Sequence, residues 1–141
     1  MVNVATILIV GEDEPDMPDF RRSLEKMKLI CHLETVRSGN DAFDLLREKT
    51  KTAANLPDII LVENNLQEAG GLEFISRLRN EDAFRHLKCY LIASPSDTVD
   101  RQTAANLGVS GCLPKPLKLN RHQSMDSFNL MIDLMNLQSR S

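Results

Sequence analysis

The sequence has no long apolar run. No stretch approaches the roughly 18 residues that a membrane-spanning helix requires, and Met1 leads into a strand pattern rather than a secretory leader. There is no basic excess either: 17 Lys and Arg stand against 20 Asp and Glu, and the formal net charge of −3 gives no electrostatic reason to expect nucleic acid. No CxxC pair occurs. Cys31, Cys89 and Cys112 lie far apart, each in or beside an apolar run, which fits reduced cysteines of a cytoplasmic protein and not zinc or redox ligands. No GxGxxG or GxxxxGK[ST] loop follows the first strand pattern, and acids in that place would repel a phosphate lacking a metal. That speaks against an enzyme or binder of nucleotide or flavin. His32, His86 and His122 fall on different elements, as surface or half-buried histidines do, and no internal repeat or low-complexity tract is present.

What is there fits one soluble domain spanning residues 1–141, with 42% apolar and 26% charged residues. The most informative stretch is Pro57-Asp58-Ile59-Ile60-Leu61-Val62-Glu63-Asn64-Asn65, followed by Leu66-Gln67-Glu68-Ala69-Gly70-Gly71. Four consecutive apolar residues, three of them β-branched, read as a strand buried on both faces, the pattern of a central parallel strand. Glu63 stands at its carboxyl end, where ligands bind in open parallel sheets.

A second such strand, Ala5 to Val10, breaks into the acidic loop Gly11-Glu12-Asp13-Glu14-Pro15-Asp16. Phe20, Leu24 and Met27 have helical spacing and predict a helix from about Asp16 to Lys28. Ile30 to Val36 reads as a strand, and Ser38 opens a helix from about Asn40 with Ala42, Phe43, Leu45 and Leu46 inward. Glu48 to Leu56 is polar and reads as a fraying helix end and loop. Leu72, Phe74, Ile75 and Leu78 mark the next helix, and Cys89 to Ala93 the next strand, with Arg77, Arg79 and Arg85 as a solvated basic face. Ser94, as N-terminal cap, opens a weakly apolar helix from about Thr98 to Leu107, stopped by Gly108. Gly111 to Leu113 is a short last strand. The final helix, about His122 to Leu137, carries Met125, Phe128, Met131, Ile132 and Met135 on one face, expected mainly to cover the sheet and to leave Leu117, Leu119 and Leu130 at a rim.

Five strands alternating with five helices predict a flavodoxin-like α/β fold: a doubly wound five-stranded parallel sheet of order 2-1-3-4-5. In that order the ends of the first and third strands meet, which brings Glu12 and Asp13 to Glu63 as a candidate Mg²⁺ site.

The acid after strand three, Gly71 eight residues on, a small residue after strand four and Lys115-Pro116 after strand five resemble the receiver domain of two-component response regulators. The resemblance runs from Ile7 to about Leu137, and Gly71-Leu72-Glu73-Phe74-Ile75 is most similar to single-domain receivers associated with phytochromes. It implies that Glu63 holds the phospho-acceptor position, where the family has Asp. Glu12 and Asp13 match the Mg²⁺-binding acids, with Gly11 displacing the match by one residue, and Asn65 matches the residue whose carbonyl binds the metal. Lys115 matches the phosphate-contact lysine, and Lys115-Pro116 is implied to be cis. Ala93, with Ser94 beside it, stands at the switch Thr or Ser, and Cys112 at the switch aromatic.

Glu extends the acceptor by one methylene, roughly 1.5 Å, which spoils in-line geometry; Ala93 has no hydroxyl, and Cys112 has no ring. The expectation is a degenerate receiver, not an enzyme, that meets a sensor histidine kinase or downstream protein and binds Mg²⁺ weakly or not at all. The alternative is a phosphorylatable or constitutively active-like receiver. Receivers resembling this one commonly pair through the face of the fourth helix, last strand and fifth helix, so a homodimer is expected there.

Overall fold

The computed structural model describes residues 4–12, 17–66, 70–119 and 124–139. The elements run β1 (Ala5–Val10), α1 (Met17–Lys26), β2 (Cys31–Val36), α2 (Gly39–Lys51), β3 (Ile59–Glu63), α3 (Gly71–Arg79), β4 (Lys88–Ala93), α4 (Arg101–Asn106), β5 (Cys112–Pro114) and α5 (Met125–Gln138). All strand pairs are parallel, in the order β2-β1-β3-β4-β5. This is the flavodoxin-like arrangement expected from the alternation of elements.

Strand alternation divides the core in two. Ile7, Ile9, Ile59, Leu61, Tyr90, Ile92 and Leu113 face one layer, closed by Phe20 and Leu24 of α1 and Leu130 and Leu134 of α5. Leu8, Val10, Ile60, Val62, Cys89 and Leu91 face the other, closed by Phe43 and Leu46 of α2 and Phe74, Ile75 and Leu78 of α3. Buried on both faces, β3 is an uninterrupted apolar run for that reason.

Several helices depart from their sequence patterns. α2 continues to Lys51, through residues read as a fraying end, and stops where Ala53 turns to φ 58°. Ser38 caps it as expected, its hydroxyl accepting from the Asp41 N–H. α4 starts later than the pattern suggested: Asp100, not Ser94, is its cap, and the carboxylate accepts from the Thr103 N–H at 3.0 Å and its hydroxyl at 2.7 Å. No residue of α4 is buried.

α5 is turned the other way from the expectation. Ser127, Leu130 and Leu134 face the sheet, while Met125, Phe128, Ile132 and Met135 are exposed by 73%, 39%, 36% and 47%. Leu117, Leu119 and Leu130, expected at a rim, are buried. Two acids on one side of the helix fix this rotation. Asp126 accepts the Cys112 N–H at 2.8 Å, and Asp133 accepts the Tyr90 hydroxyl at 2.5 Å and pairs with Lys88 at 2.8 Å. His122 lies outside the described residues.

Arg79 is not part of a solvated face. Its guanidinium donates to the carbonyls of Leu107, Arg85 and Leu87 at 2.8, 2.9 and 2.7 Å, tying α3 to the loops on either side of β4 and α4. Arg77 instead stacks over the Phe43 ring.

Candidate functional site

The carboxyl ends of β1, β3, β4 and β5 converge at one edge of the sheet, and register decides which side chains meet there. Ile9 pairs with Leu61 and Val10 with Val62, so the next residues of like parity, Gly11 and Glu63, stand side by side and point to the same face. Glu12 has the opposite parity. Its backbone N–H donates to Glu63 Oε2 at 3.3 Å.

Glu63 is held from behind by Gly71. A Cβ there would lie 2.4 Å from the Glu63 carbonyl oxygen, and the Gly71 N–H donates to the Asn64 carbonyl at 3.0 Å. Only glycine lets α3 begin that close to the end of β3. From the end of β5, just before the cis Lys115–Pro116 bond, Lys115 Nζ reaches Glu63 Oε1 at 3.3 Å, with side-chain exposures of 19% and 13%. The contact is longer than a tight charge-assisted hydrogen bond of about 2.7–2.9 Å, so it is chiefly an electrostatic pairing in a shielded place.

The two asparagines after Glu63 grip the neighbouring loop. Asn64 Nδ2 donates to the Thr98 carbonyl at 3.2 Å and Asn65 Nδ2 to Asp97 Oδ1 at 2.7 Å, while Asp97 Oδ2 accepts the Ser94 N–H at 2.9 Å. Ala93 is buried, with no hydroxyl to offer the site. Between this loop, β5 and the start of α5 opens a cavity of about 460 Å³, lined among others by Ala93, Val99, Cys112 and Met125. Burial pushes the Cys112 thiol above its usual range, an effect partly offset by Arg101. Cys31 and Cys89, raised to about 11 by burial, are also free, and none of the three is a reactive thiolate near neutral pH.

The metal donors expected here are Glu12, Asp13 and the Asn65 carbonyl. Among the described residues no group of three or more His, Cys, Asp or Glu side chains is arranged to hold a metal. Glu63 lies against Lys115, Glu12 contributes an N–H, and Asp13 falls outside the described residues.

This edge geometry sits in a chain whose residues 7–125 match the response regulator receiver domain. The chain belongs to that family. A curated relative of the receiver, the polar-differentiation response regulator DivK of Brucella anthropi, is 29% identical over 118 residues, covering 82% of this chain and 88% of its own. Among solved structures, a two-component response regulator from Legionella pneumophila superposes with a TM-score of 0.73 at 27% identity, covering 94% of this chain and 98% of that one. The bacteriophytochrome response regulator AtBRR has the same fold, with a TM-score of 0.73 at 24% identity over 94% and 93% of the two chains.

Within the receiver, Glu63 and Lys115 are brought together, and Asn65 lies on the same rim. Ser94, Ala93 and Cys112 border the adjoining cavity. The sequence reading missed Gly11 as the residue facing the site and Asp97 as partner of Asn65. Counting alternation from Leu61 and Ile9 would have found the first; nothing local marks the second. No helix among the described residues is long and apolar enough to cross a membrane.

Proposed function

We propose that this receiver has its acceptor position filled by its own carboxylate, and that it signals by contact with other proteins rather than through a phosphorylation cycle at Glu63. The observation that carries this reading is the Glu63 side chain, whose carboxylate faces Lys115 Nζ on one oxygen and the Glu12 N–H on the other, both at 3.3 Å. An acceptor so engaged, and one methylene longer than Asp, is poorly placed for in-line attack on a phosphoryl donor. Ala93 supports the reading, because it offers no hydroxyl to a phosphoryl oxygen. Mg²⁺ then binds weakly or not at all, through Glu12, Asp13 and the Asn65 carbonyl if it binds. Residues 1–141 act as one non-enzymatic signalling domain in the cytoplasm, and the partner is a sensor histidine kinase or a downstream protein.

The same Lys115 contact favours a second reading: a fixed carboxylate beside this lysine supplies one of the nearly two charges of a phosphoryl group, which would hold the receiver in an active-like state. Both readings give the same labelling result. Acetyl phosphate is expected to leave Glu63 unmodified by intact mass and peptide mapping; a stable label that disappears in Glu63→Ala would overturn them.

The outer face of α5 is the proposed contact surface, and a second copy of the chain is its proposed occupant. Met125, Phe128, Ile132 and Met135 follow one another at intervals of three, four and three, the spacing of a seam that packs against another helix. Asn129, Met131, Asn136 and Gln138 beside that seam carry no charge, and the two acids that flank it, Asp126 and Asp133, are bonded to the Cys112 N–H and to Tyr90 and Lys88.

A further inference from the structure

We infer that Gly11 is the positioning residue of this site: the space left by its missing side chain is where the Glu63 carboxylate rests. This deepens the reading of Glu63 as the occupant of the acceptor position and rests on it. A Cβ built on Gly11 would lie 2.3 Å from Glu63 Cδ, 2.4 Å from Cγ and 2.7 Å from Oε2. Real non-bonded carbons stay well over 3 Å apart, so no side chain at position 11 is compatible with Glu63 where it stands.

The register explains why these two residues compete. Parallel neighbours of like parity, one step beyond the Ile9–Leu61 pair, project to one face a single strand spacing apart. A side chain as long as Glu at one of them must lean over the other. It can lean toward Lys115, with Oε2 on the Glu12 N–H, only if the other is glycine. The backbone of Gly11 itself makes no such demand, because it is not in the left-handed region where glycine is favoured and its N–H is an ordinary bond to the Val36 carbonyl at 2.9 Å. Glycine is therefore required here by the neighbour and not by the turn.

The colliding atoms belong to the far end of a flexible side chain, so a methyl at position 11 displaces Glu63 instead of breaking the fold. The carboxylate then leaves the Glu12 N–H and Lys115. Removing the residue 63 side chain beyond Cβ relieves the collision. Position 11 and residue 63 thus specify the site as a pair, and each is readable only in the presence of the other.

The test compares Gly11→Ala, Glu63→Ala and the double Gly11→Ala/Glu63→Ala, with no phosphoryl donor present. The Glu12 amide resonance and the Glu63 carboxyl carbon report where the carboxylate rests. Gly11→Ala is expected to move the Glu12 amide to the position it takes in Glu63→Ala, and to leave it there when the two substitutions are combined. In denaturant titrations Gly11→Ala should raise the unfolding equilibrium constant about fivefold in the native background and less than about twofold with Glu63→Ala already present, the scale of a partly shielded charged contact. An unmoved Glu12 amide, or an equal loss in both backgrounds, overturns the inference. If Gly11→Ala does not fold, the double with Glu63→Ala must fold like Glu63→Ala alone; failure of that double also overturns it. Labelling by acetyl phosphate bears only on the function proposed above, so the two can fail separately.

Discussion

Tyr90 is the only tyrosine in a chain without tryptophan, which makes one buried phenol the sole chromophore of its kind. Burial first, then the hydrogen bond to the Asp133 carboxylate and the negative charges of Asp133 and Asp126, hold its proton far above the usual value of 10. The native state therefore keeps a proton that the unfolded chain releases. Its contribution to stability is complete below about pH 10 and is lost progressively as the pH rises above that value. In an alkaline titration the tyrosinate absorbance is expected to appear only together with loss of far-UV circular dichroism. Reversible ionisation near pH 10 in the folded protein would contradict this. Residue-scale chemistry at Glu63 and Lys115 was legible in the sequence because each stands at a strand end, where position implies neighbours. The tether of Asn65 to Asp97 was not legible, since it joins two loops 32 residues apart and neither loop has a periodic pattern.

Among the elements, α4 is the least anchored. Its six residues bury nothing, and Asn64, Asn65 and Arg79 hold the segment that contains it through side-chain bonds at its ends. Local opening of so lightly packed a unit costs little. Amide hydrogen exchange is expected to be faster in residues 101–107 than in α2, α3 or α5, and faster still in Asp100→Ala, which loses both cap bonds to Thr103, with the global melting temperature barely moved. Equal protection of α4 and α3 would contradict it. Strands and the inner faces of α2 and α3 could be read from sequence because apolar residues mark a single side of each. α5 could not, because it is apolar on two sides: Met125, Phe128, Ile132 and Met135 form one stripe and Leu130, Leu134 and Leu137 another. Hydrophobic period alone cannot choose between two stripes. Asp126 and Asp133, seven residues apart and each bonded to a strand, were the orienting signal.

At the scale of the whole molecule, the outward stripe of α5 is the proposed contact between copies of the receiver. Its four side chains offer a few hundred Å², against roughly 800 Å² per partner in a stable interface, so pairing is expected to be weak, with Kd between roughly 10 μM and 1 mM. Sedimentation velocity across that range should show a monomer–dimer equilibrium that Ile132→Asp abolishes without lowering the melting temperature. A monomer throughout, or a dimer indifferent to the substitution, would remove α5 as the contact. Arg79 has a consequence of another kind. Two of its carbonyl partners, Arg85 and Leu87, lie just beyond α3 in the chain, while the third, Leu107, ends α4 and is reached only when that later segment has folded back. The Leu107 bond, which closes over the greatest separation, is expected to bear on how long the folded molecule lasts more than on how fast it forms. In a chevron experiment Arg79→Met is expected to steepen nothing and to leave the folding limb in place while lifting the unfolding limb. A guanidinium placed at this junction is, in effect, a kinetic latch on the side of the receiver away from its carboxylate.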